Sequence, residues 1–183
     1  MIIKDFKYKA LCYYNKISIF SLIKVLMSDG AISMILYRLQ FFFNNVHLFP
    51  LSFSVHLLNK FLSGCVIGCG AKFKSGFTLM HPIGVVINSC VRGGHNVVIE
   101  SCVTIGASKN GIPVESPILG NNVFIGSGAK VLGGIVIGNN VKIGANAVVI
   151  TDIPDNSTAV GIPAKIISNN NDISTNSHKI SKG

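Results

Sequence analysis

Residues 119–149 read LGNNVFIGSGAKVLGGIVIGNNVKIGANAVV, and a six-residue period runs through the whole stretch. Apolar residues recur every six positions in one column: Leu119, Ile125, Val131, Ile137, Ile143 and Val149. A second column of smaller or branched residues follows four positions after each of these: Val123, Ala129, Ile135, Val141, Ala147 and Ile153. An α-helix, with its period of 3.6 residues, cannot keep such a face aligned, whereas short strands joined by glycine or asparagine corners can. The stretch therefore predicts a coil of about 18 residues per turn whose stacked turns bury a continuous apolar interior.

The preceding part of the chain has the same period in a different frame. Its columns are Val85, Val91, Val97 and Val103, with Ile87, Ile99 and Ile105 as companions. The two frames do not join directly, because the rhythm is lost between Gly106 and Pro117 in GASKNGIPVESP. This interruption predicts one loop extruded from the coil, and such loops frequently carry function.

Composition divides the chain into three zones. Residues 1–62 are rich in Leu, Ile, Phe and Lys, and helical spacing of apolar residues predicts an α-helical N-terminal region there. Residues 63–167 hold nearly all the glycines and form the predicted repeat domain. Residues 168–183 are polar and aperiodic, which predicts a disordered tail.

Charge and cysteine usage narrow the class of protein. The net charge is +9 with only 13% charged residues, so the basic residues are spread out and form no dense cluster. This pattern disfavours binding of nucleic acid and suits binding of an anionic cofactor or an anionic membrane surface. Five cysteines without a C-x-x-C pair argue against a zinc knuckle or a closed disulfide framework and predict a reduced, cytoplasmic protein. The uncharged stretch 39–59 is interrupted by polar residues too often for a spanning helix, which leaves peripheral membrane association as the alternative.

Three segments together resemble a known family. They are FTLMHPIGVVINSCVRGGHNVVIESCVTIGASKNG at 77–111, SPILGNNVFIGSGAKV at 116–131 and DIPDNSTAVGIPAKII at 152–167. Their order resembles the hexapeptide-repeat acetyltransferases, namely the serine acetyltransferases and, more closely, the colanic-acid-type polysaccharide O-acetyltransferases. The resemblance implies a mainly β fold, a left-handed parallel β-helix of about five coils, assembled as a homotrimer with acetyl-CoA as donor.

His81 is the residue that the resemblance implies as general base. In the family, the histidine at this place takes the proton of the acceptor hydroxyl as its oxygen attacks the thioester carbonyl. An imidazole suits this because its ordinary pKa is about 6.5, and a positioned base contributes about 10² to 10⁴ in rate. His81 also falls on the register of the Ile87 column, where an aliphatic residue is expected. The alternative is a histidine at a turn or a subunit interface.

The orienting partner of this histidine is not evident in the repeats. Serine acetyltransferases carry an acid about fifteen positions earlier, a place held here by Val66, and no Asp or Glu lies between Gly30 and Ile99. Glu100, close to one coil further on, is the candidate; a backbone carbonyl or a neighbouring subunit is the alternative.

Donor-binding residues are also implied by the resemblance, which places acetyl-CoA in the groove between adjacent helices of the trimer. The sequence offers no obvious side-chain donor for the oxyanion, so we expect a backbone N–H near Gly106 and Ala107, where glycine lets the chain approach the ligand closely. Small residues including Ser127 and Ala129 would leave room for the pantetheine arm. Candidate lysines for its phosphates include Lys109, Lys130 and Lys142. The alternative is that the lysines are only solvated and the small residues only form corners. No metal is expected, because zinc enzymes of this fold need three histidines and the repeats contain only His81 and His95.

The acceptor is predicted from one departure from the family pattern. The second histidine of serine acetyltransferases, in a D-R-H-P-K stretch, is replaced here by Glu115-Ser116-Pro117. This favours a sugar hydroxyl in surface polysaccharide biosynthesis (capsule, exopolysaccharide or O-antigen). The alternatives are a serine O-acetyltransferase of cysteine biosynthesis and, in another class, a non-catalytic β-helix binding protein.

Overall fold

Four helices precede the repeats in the computed structural model, which describes residues 1–107 and 115–169. They are α1 (Ile2–Tyr14), α2 (Ile19–Leu26), α3 (Ala31–Asn45) and α4 (Phe49–Ser63). A capping box begins α2, since the Ser18 and Ser21 side chains each accept from the other's backbone N–H. No single described helix has the length and apolarity to cross a bilayer; α2 and α3 pass that test only as a pair, which is bent by 84°.

The repeats fold into short strands that form three sheets. The strands are β1 (Val66–Ile67), β2 (Lys72–Phe73), β3 (Thr78–Leu79), β4 (Val86–Ile87), β5 (Arg92–Gly93), β6 (Val98–Ile99), β7 (Thr104–Gly106), β8 (Ile118–Leu119), β9 (Phe124–Ile125), β10 (Lys130–Leu132), β11 (Val136–Ile137), β12 (Lys142–Ile143), β13 (Val148–Val149), β14 (Ser157–Val160) and β15 (Lys165–Asn169). The sheet orders are β1-β4-β7-β10-β13, β2-β5-β8-β11 and β3-β6-β9-β12-β14-β15. All described strand pairs are parallel except β14 with β15. The predicted parallel-sheet fold with hexapeptide repeats and a helical N-terminal region is thereby confirmed.

The apolar columns point into the coil. Every residue of the four predicted columns is buried, and Ile67, Phe73 and Leu79 extend them into the first coil. From β1 to β13 neighbouring strands start six residues apart, except that β3 and β4 start eight apart and β7 and β8 start fourteen apart. Neither step is a multiple of six, and this explains why the frames of the sequence do not join. The second step contains the interrupted stretch, of which residues 108–114 lie outside the described residues.

One corner of the coil is a ladder of asparagines. Asn96, Asn122, Asn140 and Asn156 stack with φ between 55° and 58°. Each side-chain amide donates to the next side-chain oxygen at 2.9 Å. Asparagine tolerates a left-handed backbone better than most residues. Its side chain also adds a hydrogen bond between coils, which glycine could not supply at the same corner.

A buried ion pair attaches the helices to the first coil. Arg38 Nε on α3 donates to Asp5 Oδ2 on α1 at 2.7 Å, and both side chains are buried. Asp5 Oδ1 also accepts from the backbone N–H groups of Gly76 and Phe77 at 2.7 and 3.1 Å. Arg38 donates to the carbonyl of Phe73 at 2.8 Å. Since buried charges need full hydrogen-bonding partners, this network fixes α1 and α3 on the coil.

The opposite end of the coil is closed by a reversed strand. β15 pairs antiparallel with β14 at the edge of the six-stranded sheet. This places the predicted exit segment of the repeats along the last coil. Residues 170–183, which make up most of the predicted tail, lie outside the described residues.

Candidate active site

His81 lies in the turn that joins β3 to β4. β3 and β4 start eight residues apart instead of six, and the two additional residues lie in this turn. They shift His81 out of the apolar column. The inward residue of β3 is Leu79, which is fully buried, whereas the His81 side chain is 52% exposed. The expectation that His81 occupies the Ile87 column was therefore wrong. An imidazole in this exposed turn is open to a substrate.

The carboxylate that meets His81 belongs to Asp29, in the turn between α2 and α3. His81 Nδ1 lies 3.1 Å from Asp29 Oδ2. This contact favours the tautomer with the proton on Nδ1 and leaves Nε2 as the basic nitrogen. Glu100, the predicted partner, makes no side-chain hydrogen bond to His81 or to any other described residue. The lengthened turn brings His81 to the helical region instead of to the next coil.

A buried lysine holds the Asp29 turn against β3. Lys9 Nζ on α1 donates to the backbone carbonyls of Asp29 and Leu79, the latter at 2.8 Å. Burial lowers the pKa of Lys9 to about 8, an effect that the carboxylates of Asp29 and Glu100 partly oppose. Gly30 has φ 78°, and a Cβ there would collide with the carbonyl oxygen of Leu79. Lys9 and Gly30 together fix the spacing between the Asp29 turn and the strand that leads to His81.

The Asp29–His81 pair opens into a cleft of about 830 Å³. The α2–α3 turn, the end of α4, the His81 turn and the corner of the next coil form its walls. The lining residues are Met27, Ser28, Asp29, Gly30, Ile32, Ser33, Leu62, Ser63, Gly64, His81, Pro82, Ile83, Ser101 and Cys102. A volume of this size suits a small-molecule acceptor and part of a larger donor.

Two predicted donor-binding residues lie on the same corner of the coil as this cleft. Ser101, in the cleft wall, contacts Ser127 through the two hydroxyl oxygens at 3.3 Å. Lys130 Nζ donates to the carbonyl of Cys102 at 2.8 Å and to Thr104 Oγ1 at 3.1 Å. Ser127 and Lys130 therefore continue the corner one coil beyond the cleft.

The other predicted donor-binding residues are not in this cleft. Ala129 is fully buried in the apolar interior, so it cannot leave room for a ligand, and that prediction was wrong. Gly106 and Ala107, at the end of β7, are half-buried and do not line the cleft. Lys142 lines a second cleft of about 460 Å³ with Tyr8 and Phe124, on the six-stranded sheet. Lys109 lies outside the described residues.

Asp29 is the residue that sequence reasoning missed. The sequence contained one signal for it: with Val66 at the family's acidic place, Asp5 and Asp29 are the only acids before Glu100. Within residues 1–107 and 115–169, no group of three or more His, Cys, Asp or Glu side chains is arranged to hold a metal ion.

Comparison with known proteins identifies consistent relatives. The family model for the bacterial transferase hexapeptide (six repeats) matches residues 116–151. A serine acetyltransferase of Helicobacter pylori is 38% identical over 143 residues, which cover 78% of this chain and 84% of that protein. Soybean serine acetyltransferase complexed with serine superposes with a TM-score of 0.79 at 28% identity, covering 91% of this chain and 68% of that one. A serine acetyltransferase in complex with CoA gives a TM-score of 0.79 at 27% identity, covering 91% and 69%.

These similarities correct the predicted acceptor. The relatives and the solved structures are serine acetyltransferases, so the prediction of a sugar hydroxyl and of polysaccharide biosynthesis was wrong. The alternative, a serine acceptor, is the one that the similarities support. The replacement of the second histidine by Glu115-Ser116-Pro117 is one local difference, whereas the similarity to a serine acetyltransferase extends over 143 residues.

Proposed function

This chain belongs to the serine acetyltransferase family, and from that membership we propose that it transfers the acetyl group of acetyl-CoA to the hydroxyl of L-serine. The observation that carries the proposal is the contact between Asp29 and His81 in an open cleft. A histidine oriented by a carboxylate is the arrangement that activates a hydroxyl for attack on an acyl carbon.

His81 acts first as a base and then as an acid. Nε2 takes the proton of the serine hydroxyl while that oxygen forms a bond to the thioester carbon. The tetrahedral intermediate then collapses, the carbon–sulfur bond breaks, and the CoA thiolate takes the proton back from the imidazolium. Asp29 holds the tautomer and stabilises the imidazolium through Nδ1, which is the role of a carboxylate behind a catalytic histidine.

We further propose that the donor binds between protomers of a homotrimer. Gly106 and Ala107 do not line the His81 cleft of their own protomer, so an adjacent protomer would supply the backbone N–H for the oxyanion. Ser127 and Lys130, on the His81 corner, would contact the pantetheine arm and a phosphate. We also propose that the repeats form a left-handed helix of about five coils and that the protein is cytoplasmic.

The experiment is thiol release from acetyl-CoA with L-serine as acceptor, comparing the intact protein with His81→Ala. The matched control is His95→Ala, because His95 is an exposed corner histidine whose Nδ1 contacts Ser75 Oγ at 2.9 Å. Serine-dependent release that falls at least about 100-fold in His81→Ala, and stays near normal in His95→Ala, supports the proposal. Release that depends on a glycan and not on serine would overturn the acceptor, and release unchanged in His81→Ala would overturn the base.

A further inference from the structure

The apolar side of α2 faces outwards. Ser21 and Val25 are the buried residues of this helix. The exposed apolar ones are Ile19, Phe20, Ile23 and Leu26, continued by Met27 at the C-cap, and Phe20 and Met27 are 75% and 84% exposed. We name these five residues the α2 face. In an isolated soluble protein an amphipathic helix turns this side to the core, so the α2 face is a surface that needs an occupant.

The exposed charged side chains of the helical region are mostly basic. Within residues 1–63, all of which the structure describes, the acids are Asp5 and Asp29. Asp5 is fully buried and paired with Arg38, and Asp29 contacts His81. The exposed basic residues of the same region are Lys4, Lys7, Lys16, Lys24 and Lys60. The helical region therefore presents five exposed lysine side chains and one exposed carboxylate side chain.

We propose that the α2 face docks on an anionic lipid membrane as a peripheral contact. Lys24 lies on α2 and Lys16 lies just before it, so ammonium groups border exposed aromatic and aliphatic side chains, which is the pattern of a helix lying in the lipid interface. At eight residues α2 is far too short to span a bilayer and long enough to lie along one. A second copy of this chain is a poorer occupant, because two such faces would bring like charges together.

One end of the α2 face lies at the His81 cleft. Met27 belongs to the α2 face and also lines the His81 cleft. Docking of α2 would therefore hold the mouth of the cleft close to the lipid surface. The proposal rests on exposure and charge and does not depend on the identity of the acceptor.

The test is co-sedimentation of the full chain with vesicles of phosphatidylglycerol and phosphatidylcholine, compared with phosphatidylcholine alone. The apolar variant is Phe20→Ser with Ile23→Ser, and the charge variant is Lys16→Glu with Lys24→Glu. The matched control is Ile150→Ser, which removes an exposed isoleucine far along the repeats. None of these residues lines the His81 cleft, so thiol release and thermal unfolding confirm that the variants are folded.

Binding to anionic vesicles that weakens at least about 10-fold in both double variants and in high salt, and persists in Ile150→Ser, supports the proposal. Equal binding by folded variants and intact protein would overturn it, as would lack of binding to anionic vesicles. A smaller oligomer in the apolar variant, without vesicle binding by the intact protein, would assign the α2 face to contacts between copies and also overturn it.

Discussion

Asp29 Oδ2 lies 3.1 Å from His81 Nδ1, although the two residues are 52 positions apart and belong to different parts of the fold. One stands in a turn between helices and the other in a turn between strands. The contact depends on the packing of α1 and α3 on the first coil, and Lys9 links the Asp29 turn to β3 through the backbone carbonyls of Asp29 and Leu79.

Replacement of the carboxylate should lower the rate of catalysis. In Asp29→Asn we expect kcat to fall about 10- to 1,000-fold, because the amide cannot stabilise an imidazolium and can favour the wrong tautomer. Steady-state kinetics at saturating acetyl-CoA and serine measures this. The matched control is Glu100→Gln, expected within about twofold of the intact protein since Glu100 does not contact His81. Equal losses in the two variants would contradict a specific role for Asp29.

Lys9 should give the protein a pH-dependent stability. Its pKa of about 8 in the folded protein lies below its ordinary value of 10.5, so between these pH values the unfolded chain binds more protons. The free energy of unfolding should therefore rise with pH from about 8 to 10, by up to about 3 kcal/mol, relative to Lys9→Met. Urea unfolding of both proteins at pH 7.5, 8.5 and 9.5 gives this difference. If the difference in the free energy of unfolding between the two proteins stays constant or shrinks with pH, the lowered pKa of Lys9 would be contradicted.

The asparagine ladder should separate backbone strain from side-chain bonding. Asn140→Ala loses the ladder bonds and must adopt φ near 55°, so we expect a loss of about 2–3 kcal/mol in the free energy of unfolding. Asn140→Gly keeps the backbone freedom and should lose only about 1 kcal/mol. Chemical denaturation measures both, with exposed Asn45→Ala at the end of α3 as control. Equal losses for Ala and Gly would show that the left-handed backbone carries no strain.

The buried ion pair should be non-additive. Asp5→Ala leaves the Arg38 guanidinium buried without its carboxylate, and we expect it to cost about 3–5 kcal/mol of stability. Arg38→Met alone should also destabilise the protein, whereas the double variant should lose clearly less than the two single losses combined. Thermal unfolding of the four proteins completes the cycle. Additive losses would mean that Asp5 and Arg38 act independently.

The sequence predicts the interior of this protein better than its site. All four apolar columns lie inside the coil because six-residue spacing is a local property of the chain. The column of Ile67, Phe73 and Leu79 was hidden, since the eight-residue step before β4 changes the frame. Ala129 received two incompatible predictions, one as a residue of an inward column and one as a residue of the donor site. Its full burial agrees only with the inward column.

The partner of His81 depends on tertiary structure in a way that spacing cannot reveal. Asp29 reaches His81 through the packing of helices on the coil, and that packing depends on buried contacts such as those of Lys9 and Arg38. The prediction of the acceptor was wrong because it relied on a local feature of the sequence. One local difference at 115–117 outweighed a resemblance that extends over most of the chain.

The reversed strand β15 lies on the edge of the six-stranded sheet where a further coil would stack. A parallel coil that ended without it would offer an open edge of backbone donors and acceptors, a template for pairing with another molecule. At the first coil, Gln40 Nε2 and His56 Nδ1 contact the carbonyl of Ile67 at 3.0 and 2.9 Å, so side chains of the helices occupy that edge. At the last coil, the antiparallel strand β15 occupies the outer edge of β14, where the corresponding strand of a further parallel coil would pair. Both ends thus act against fibre formation, a hazard for any repeat protein whose units can stack without limit.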